Sequence, residues 1–170
     1  MNKNGFSDVQ LSVGDTPTCS VVEDFSEVDE IRPGNFVFYD IMQLHIGSCT
    51  EDDIAVAIAC PVVAKHKERN EIVIYGGAVH LSKEFIVRED GTKIYGYIAS
   101  KTKKGWGAMI KNSFVSSISQ EHGIVKTDEQ FFHKIKIGDI LMVLPIHSCL
   151  AVNLLREYRT LERELIRSWE

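Results

Sequence analysis

"AVAIACPVVAKHKERNEIVIYGG", residues 55–77, decides how the rest of the chain is read. Two runs rich in β-branched residues, 55–66 and 71–77, flank the polar hexapeptide "KHKERN". Such runs suit a pleated, half-buried surface, and the polar break between them predicts a β-hairpin. Downstream, "KIYGYIAS" (93–100) and "NSFVSSIS" (112–119) read as further strands. "IKIGDILMVLPIHSCLAVNLL" (135–155) reads as two apolar strands interrupted at Pro145 and His147. The final "REYRTLERELIRSWE" (156–170) has helix-forming composition. Its alternation at Tyr158, Thr160 and Leu161 also allows a hairpin, and the reading leans to strand.

Upstream the pattern changes. "VQLSVGDTPTCSV" (9–21) reads as a short strand entering a turn, and "EDFSEVDEI" (23–31) as a short helix or loop. "RPGNFVFYD" (32–40) reads as a turn feeding a strand over 35–40. These first fifty residues hold too few strands to close a sheet. The expected fold is therefore mainly β: a barrel- or sandwich-like domain over 51–170, preceded over 1–50 by the end of a larger unit.

The 170 residues carry a net charge of −5, with 25% charged and 44% apolar residues. Acids and bases are mixed along the chain, so nothing points to nucleic acid or an anionic membrane as partner. No apolar run approaches the ~20 residues of a membrane-spanning helix. The start "MNKNGFSDVQ" lacks a basic-then-apolar leader pattern, which predicts a cytoplasmic protein. Cys19, Cys49, Cys60 and Cys149 form no C-x-x-C pair, so neither a structural zinc knuckle nor a disulfide framework is suggested. Cys19, Cys49 and Cys60 read as small core residues.

Four stretches could carry chemistry. In "GDTPT" (14–18), successive amides around Gly14 and the hydroxyls of Thr16 and Thr18 could form an anion-binding nest. A plain loop with an Asx-turn at Asp15 explains the same residues. In "RPGNFVFYD", Arg32 could bind an anion and Tyr39 could reach it with its phenol; a turn and a buried strand serve equally. In "SQEHG" (119–123), Glu121 and His122 form an acid–histidine pair suited to proton transfer, or simply a solvated loop. In "PIHSC" (145–149), His147 and Cys149 stand two apart. On a strand they would share a face, giving an imidazole and a thiolate for a borderline-soft metal such as zinc. A core histidine beside a core cysteine is the plain alternative. Two ligands leave the remaining positions to water or substrate, which suits a catalytic zinc more than a structural one.

Taken in order, "LSVGDTPT", "EIRPGNFVFYD", "SQEHG" and "GDILMVLPIHSCLAVNL" resemble the C-terminal part of the D-serine dehydratase and D-threonine aldolase family, pyridoxal-phosphate enzymes of the alanine racemase fold type. The resemblance covers nearly the whole chain. It implies a C-terminal β domain preceded by the last strands of a (β/α)8 barrel. "VQLSVGDTPT" would match the seventh barrel strand and its loop, placing Gly14, Asp15 and Thr16 at the cofactor phosphate. "RPGNFVFYD" would match the eighth, placing Tyr39 near the same site. His147 and Cys149 would bind zinc, in the His-x-Cys form closer to the dehydratase branch, and His122 would line the active site.

The function implied is that of part of a pyridoxal-phosphate- and zinc-dependent lyase acting on β-hydroxy-D-amino acids. A racemase of the same fold and a non-catalytic β domain for dimerisation or partner binding are the alternatives. The family's Schiff-base lysine lies at the start of the barrel, outside the matching stretch. The chain is thus expected to be a truncated protein or one piece of a split enzyme, inactive alone. Its expected partners are a D-amino-acid substrate and either a second copy or the missing barrel portion.

Overall fold

The computed structural model describes Gly5 and residues 8–167. Its centre is a closed six-stranded barrel built from β3 (Ile58–His66), β4 (Glu71–Tyr75), β7 (Gly96–Thr102), β8 (Gly105–Ile118), β9 (His122–Lys126) and β10 (Ile140–Pro145). Around the barrel the order is β10-β3-β4-β9-β8-β7, and every neighbouring pair is antiparallel. The predicted hairpin is β3–β4, closed by the polar turn with Asn70 in the left-handed region at φ 50°. Closure leaves the barrel no free edge. It requires strands that bend, and register shifts occur between Val62 and Ala64 in β3 and at three places along the 14-residue β8.

Alternation along β10 builds two cores. Leu141 and Val143 point inward with Cys60, Val62, Ile72, Ile74, Ile98, Val115 and Val125. Leu144, and Ile146 just beyond the strand, face outward into a second cluster with Ile41, Ile54, Ile94, Ala99 and Phe114. That outer layer includes α2 (Ile41–Ile46), which begins at an Asp40 cap and ends at Gly47 with φ 90°. Glycine adopts this left-handed C-cap without the strain a Cβ brings.

The remaining elements decorate this barrel. Near the N-terminus, β1 (Ser12–Val13), α1 (Thr16–Val21) and β2 (Glu30–Ile31) form a small βαβ unit whose strands pair in parallel. Helix α3 (Ala78–Leu81) packs on α5 (Ser148–Leu155), α4 (Glu129–Lys134) leads into β10, and β5 (Ile86–Val87) pairs with β6 (Lys93–Ile94). The hairpin β11 (Glu157–Arg159)–β12 (Leu165–Arg167) ends the described chain, as the alternation suggested. No described helix is long and apolar enough to cross a membrane.

Three expectations change. The strand expected over 35–40 is a turn, with Gly34 at φ 67° and Tyr39 at φ 47° breaking extension; the parallel strand lies earlier, at Glu30–Ile31. Residues 16–21, expected as a turn, form a helix because Asp15 caps it and Pro17 suits its first turn. The second apolar strand, expected after His147, is helix α5. A short run that is apolar throughout carries no period to separate strand from helix.

Candidate functional site

β10 ends at Pro145, and the next two residues turn the chain into α5. Ile146 is fully buried under α2, and its carbonyl accepts the Met42 N–H at 3.1 Å. His147 follows as the N-cap of α5, and Cys149 lies in the first turn. The pair is therefore presented by a helix start and not by one strand face. His147 is half-buried and Cys149 exposed. His147 makes no side-chain capping bond, so its ring is not consumed in capping the helix.

A buried polar cluster lies directly beneath. Asp40 has no exposed surface, and its carboxylate accepts three N–H donors. Oδ1 takes the Gln43 N–H at 2.9 Å; Oδ2 takes the Ser148 N–H at 2.8 Å and the Asn35 side-chain amide at 2.7 Å. The same amide donates to Ser148 Oγ at 3.0 Å. At the other end of Asn35, its Oδ1 accepts from the Thr16 hydroxyl at 2.8 Å and its backbone N–H donates back to that hydroxyl at 3.0 Å. Gly34 sits so close that a Cβ there would lie 2.3 Å from Thr16 Oγ1. Thr16, Asn35, Asp40 and Ser148 are thus one chain of buried hydrogen bonds, running from the α1 loop to the helix that carries Cys149.

The other expected residues fall around this chain. Gly14 is covered by Arg32, and a Cβ on it would lie 2.6 Å from the guanidinium carbon. The Arg32 Nε donates to Ser12 Oγ at 2.9 Å, and its group is mostly exposed. Asp15 accepts the Thr18 N–H at 2.6 Å, and that bond holds its carboxyl below the usual range. Tyr39 does not end a strand, but its phenol reaches Ser20 Oγ at 2.9 Å and so stays against α1. Asn35 and Cys149, with Gly34, Phe38, Val152 and Tyr158, line a cleft of about 330 Å³. Burial, then the negative charge of Asp40, pushes the Cys149 thiol upward, against a lowering bond from Ser148.

His122 lies elsewhere, at the start of β9. Its ring meets Tyr75 at 5.7 Å, and Tyr75 meets His80 at 4.8 Å. Glu121 contributes its carbonyl to the Gly76 N–H. Among the described residues no group of three or more His, Cys, Asp or Glu is placed to hold a metal. Of the cysteines expected in the core, Cys60 is buried while Cys19 and Cys49 are half-buried.

Asn35, Asp40 and Ser148 were not singled out from the sequence. Asp40 was legible: "DIMQLHIG" has an acid before an apolar segment and a glycine after it, the marks of a capped helix. Its second bond, to a residue 108 positions away, left no local signal.

Residues 55–161 match the family described as "Putative serine dehydratase domain". The chain belongs to this family. A D-serine dehydratase of Dictyostelium discoideum is 29% identical over 172 residues, covering 94% of this chain and 41% of that protein. An alanine-racemase-like protein of Idiomarina loihiensis superposes with a TM-score of 0.84 at 26% identity, over 97% of this chain and 44% of its own. D-threo-3-hydroxyaspartate dehydratase of Delftia sp. HT23 gives 0.80 at 22% identity, over 99% and 47%. The chain thus spans less than half the length of these relatives. That last enzyme is also known as a His-to-Ala variant and, two positions further along, as a Cys-to-Ala variant in a metal-free form. The parallel β1–β2 pair, bridged by α1, lies outside the residues that the family model matches.

Proposed function

We propose that this chain is the C-terminal portion of a pyridoxal-phosphate- and zinc-dependent lyase acting on β-hydroxy-D-amino acids, with dehydration as the reaction. The observation that carries the reading is the His147–Cys149 pair at the start of α5, with the His147 ring unspent in capping and Cys149 lining the Asn35 cleft. Its spacing equals that of the His and Cys varied in the Delftia dehydratase, where the Cys variant has a metal-free form.

The donor chemistry fits zinc. A ring nitrogen of His147 and Sγ of Cys149 are borderline and soft donors, and both are accessible. Zinc would supply a Lewis acid for the substrate's β-hydroxyl, which leaves as water. The α1 side fits an anion through Gly14, whose missing Cβ lets Arg32 lie over the backbone and bring a positive charge there. Gly14 and Arg32 would hold the cofactor phosphate, and the bound pyridoxal would supply an electron sink at the α-carbon. Thr16 serves that loop indirectly, because its hydroxyl is engaged by Asn35. Tyr39 steadies α1 through Ser20. His122 offers an imidazole for proton transfer once the rest of the barrel is present.

In this reading the protein acts in the cytoplasm. Its partner would be either a second copy of the chain, as a homodimer, or a barrel portion. Metal analysis of protein prepared without chelator tests the pair. Wild type and Cys60→Ala should carry zinc, while His147→Ala and Cys149→Ala should lose it. Equal zinc in all four would sink the zinc assignment.

A further inference from the structure

We propose that Asp40 is the positioning residue of the His147–Cys149 pair: one buried carboxylate caps two helices and so fixes where the start of α5 lies. The inference rests on the zinc reading for its purpose, but its geometry stands independently. Helix starts leave backbone N–H groups without partners, and a side-chain acceptor normally comes from the N-cap residue itself. α2 follows that rule, with Asp40 Oδ1 taking the Gln43 N–H. α5 does not: its N-cap His147 gives no side-chain bond. The acceptor is instead Asp40 Oδ2, from a distant part of the chain, which takes the N–H of Ser148 between the two proposed ligands.

This arrangement has a chemical purpose. A histidine that caps its own helix has committed a ring nitrogen to the backbone. With Asp40 supplying the cap, both ring nitrogens of His147 stay available, one for a metal and one for a hydrogen-bond partner that orients the ring. Asn35 adds a second tether, since its amide binds Asp40 Oδ2 and Ser148 Oγ together. Ser148 itself is fully buried, so the residue between His147 and Cys149 is anchored at two atoms. Through Thr16 the same cluster reaches the α1 loop, which makes it the shared floor of both halves of the proposed site.

The substitution Asp40→Asn keeps the size and turns one acceptor oxygen into a donor. Either the Ser148 N–H or the Gln43 N–H then faces an NH₂, and both bonds cannot survive. Cobalt(II) titration of the full chain, followed by the thiolate-to-cobalt absorption band, reads the pair directly. Asp40→Asn is expected to weaken cobalt binding at least tenfold and to shift the band, the scale seen when support behind metal ligands is lost. Asp128→Ala removes the equivalent cap from α4, where Asp128 accepts the Phe131 N–H at 2.7 Å, and controls for stability alone. It should leave cobalt affinity and the band unchanged.

Unchanged affinity and band in Asp40→Asn would overturn the proposal, as would equal losses in Asp40→Asn and Asp128→Ala. If wild type shows no thiolate band at all, the zinc reading fails, and hydrogen exchange of the Ser148 amide decides the positioning claim. Faster exchange in Asp40→Asn, with unchanged exchange in β4, then upholds it; unchanged exchange at Ser148 sinks it.

Discussion

The barrel and the βαβ unit before it hold similar kinds of residue in opposite situations. In the barrel, Val62, Ile72, Ile74, Val115 and Val125 are almost wholly out of water, and each strand has two partners. In the earlier unit, β1 and β2 pair through two residues each, and Leu11, Val21, Val22 and Ile31 are exposed. Parallel sheets of this kind are normally covered on both faces. The barrel strands thus cover one another, whereas the βαβ unit has the sequence of an interior element and the surroundings of a surface one.

The largest contrast is expected in stability. Ile74→Ala opens a cavity in the inner core and should cost about 2–5 kcal/mol in urea unfolding. Val21→Ala, at a site 62% exposed, should change stability by no more than about 0.5 kcal/mol. Comparable losses would mean that the two regions are packed alike. Hydrogen exchange separates the two regions further: amides of β4 and β9 should exchange near the global unfolding limit, and those over 9–31 orders of magnitude faster. Equal protection in a dilute monomer would show that the βαβ unit finds its own cover.

How much of this could be read in advance follows from the same contrast. The β3–β4 hairpin was plain because β-branched runs around a polar turn are a local signal. The strands at 93–100 and 112–119 were legible in part: the first stretch is split between β6 and β7, and the second is only the end of β8, which begins at Gly105. The parallel strand at Glu30–Ile31 was hidden, since two residues carry no periodicity, and the apolar 36–38 drew the assignment instead. Helix α5 was hidden because only Ser148 and Ala151 are buried along it while Leu150, Leu154 and Leu155 remain apolar and exposed. The four site stretches were visible as motifs. The polar floor that joins three of them was not, because its bonds cross 19, 108 and 113 residues.

Thiol chemistry gives a smaller effect. Burial pushes Cys60 up to about 12, so it should resist iodoacetamide at pH 8 in the folded protein. Cys149 is also raised but exposed, so it should be modified, though more slowly than a free thiol. Rapid labelling of Cys60 would show that the barrel opens readily.

The smallest effect expected is a pH slope. Burial lowers the pKa of His80, with His122 acting in the same direction and Glu121 against it. A folded-state value below the unfolded one, near 6.5, means that the folded protein binds fewer protons. The contribution of His80 is therefore fully present above that pH and is lost as pH falls through the folded value. His80→Gln should flatten the fall in stability on acidification below about pH 6.5. An unaltered slope would place the titration elsewhere.

The bond from Ser148 to Asp40 also orders events in time. Hairpins such as β3–β4 close over a few residues, and contacts of that range form early because little chain entropy is lost. The α5 cap must wait until a turn 108 residues upstream has docked on the outer face of β10. In refolding followed by pulsed hydrogen labelling, protection of Ser148 is expected to trail that of Ile74 and Val125. The chemistry-bearing corner would then be the last part of the molecule to acquire its shape, and a chain caught before that moment would hold a finished barrel with an unfinished site.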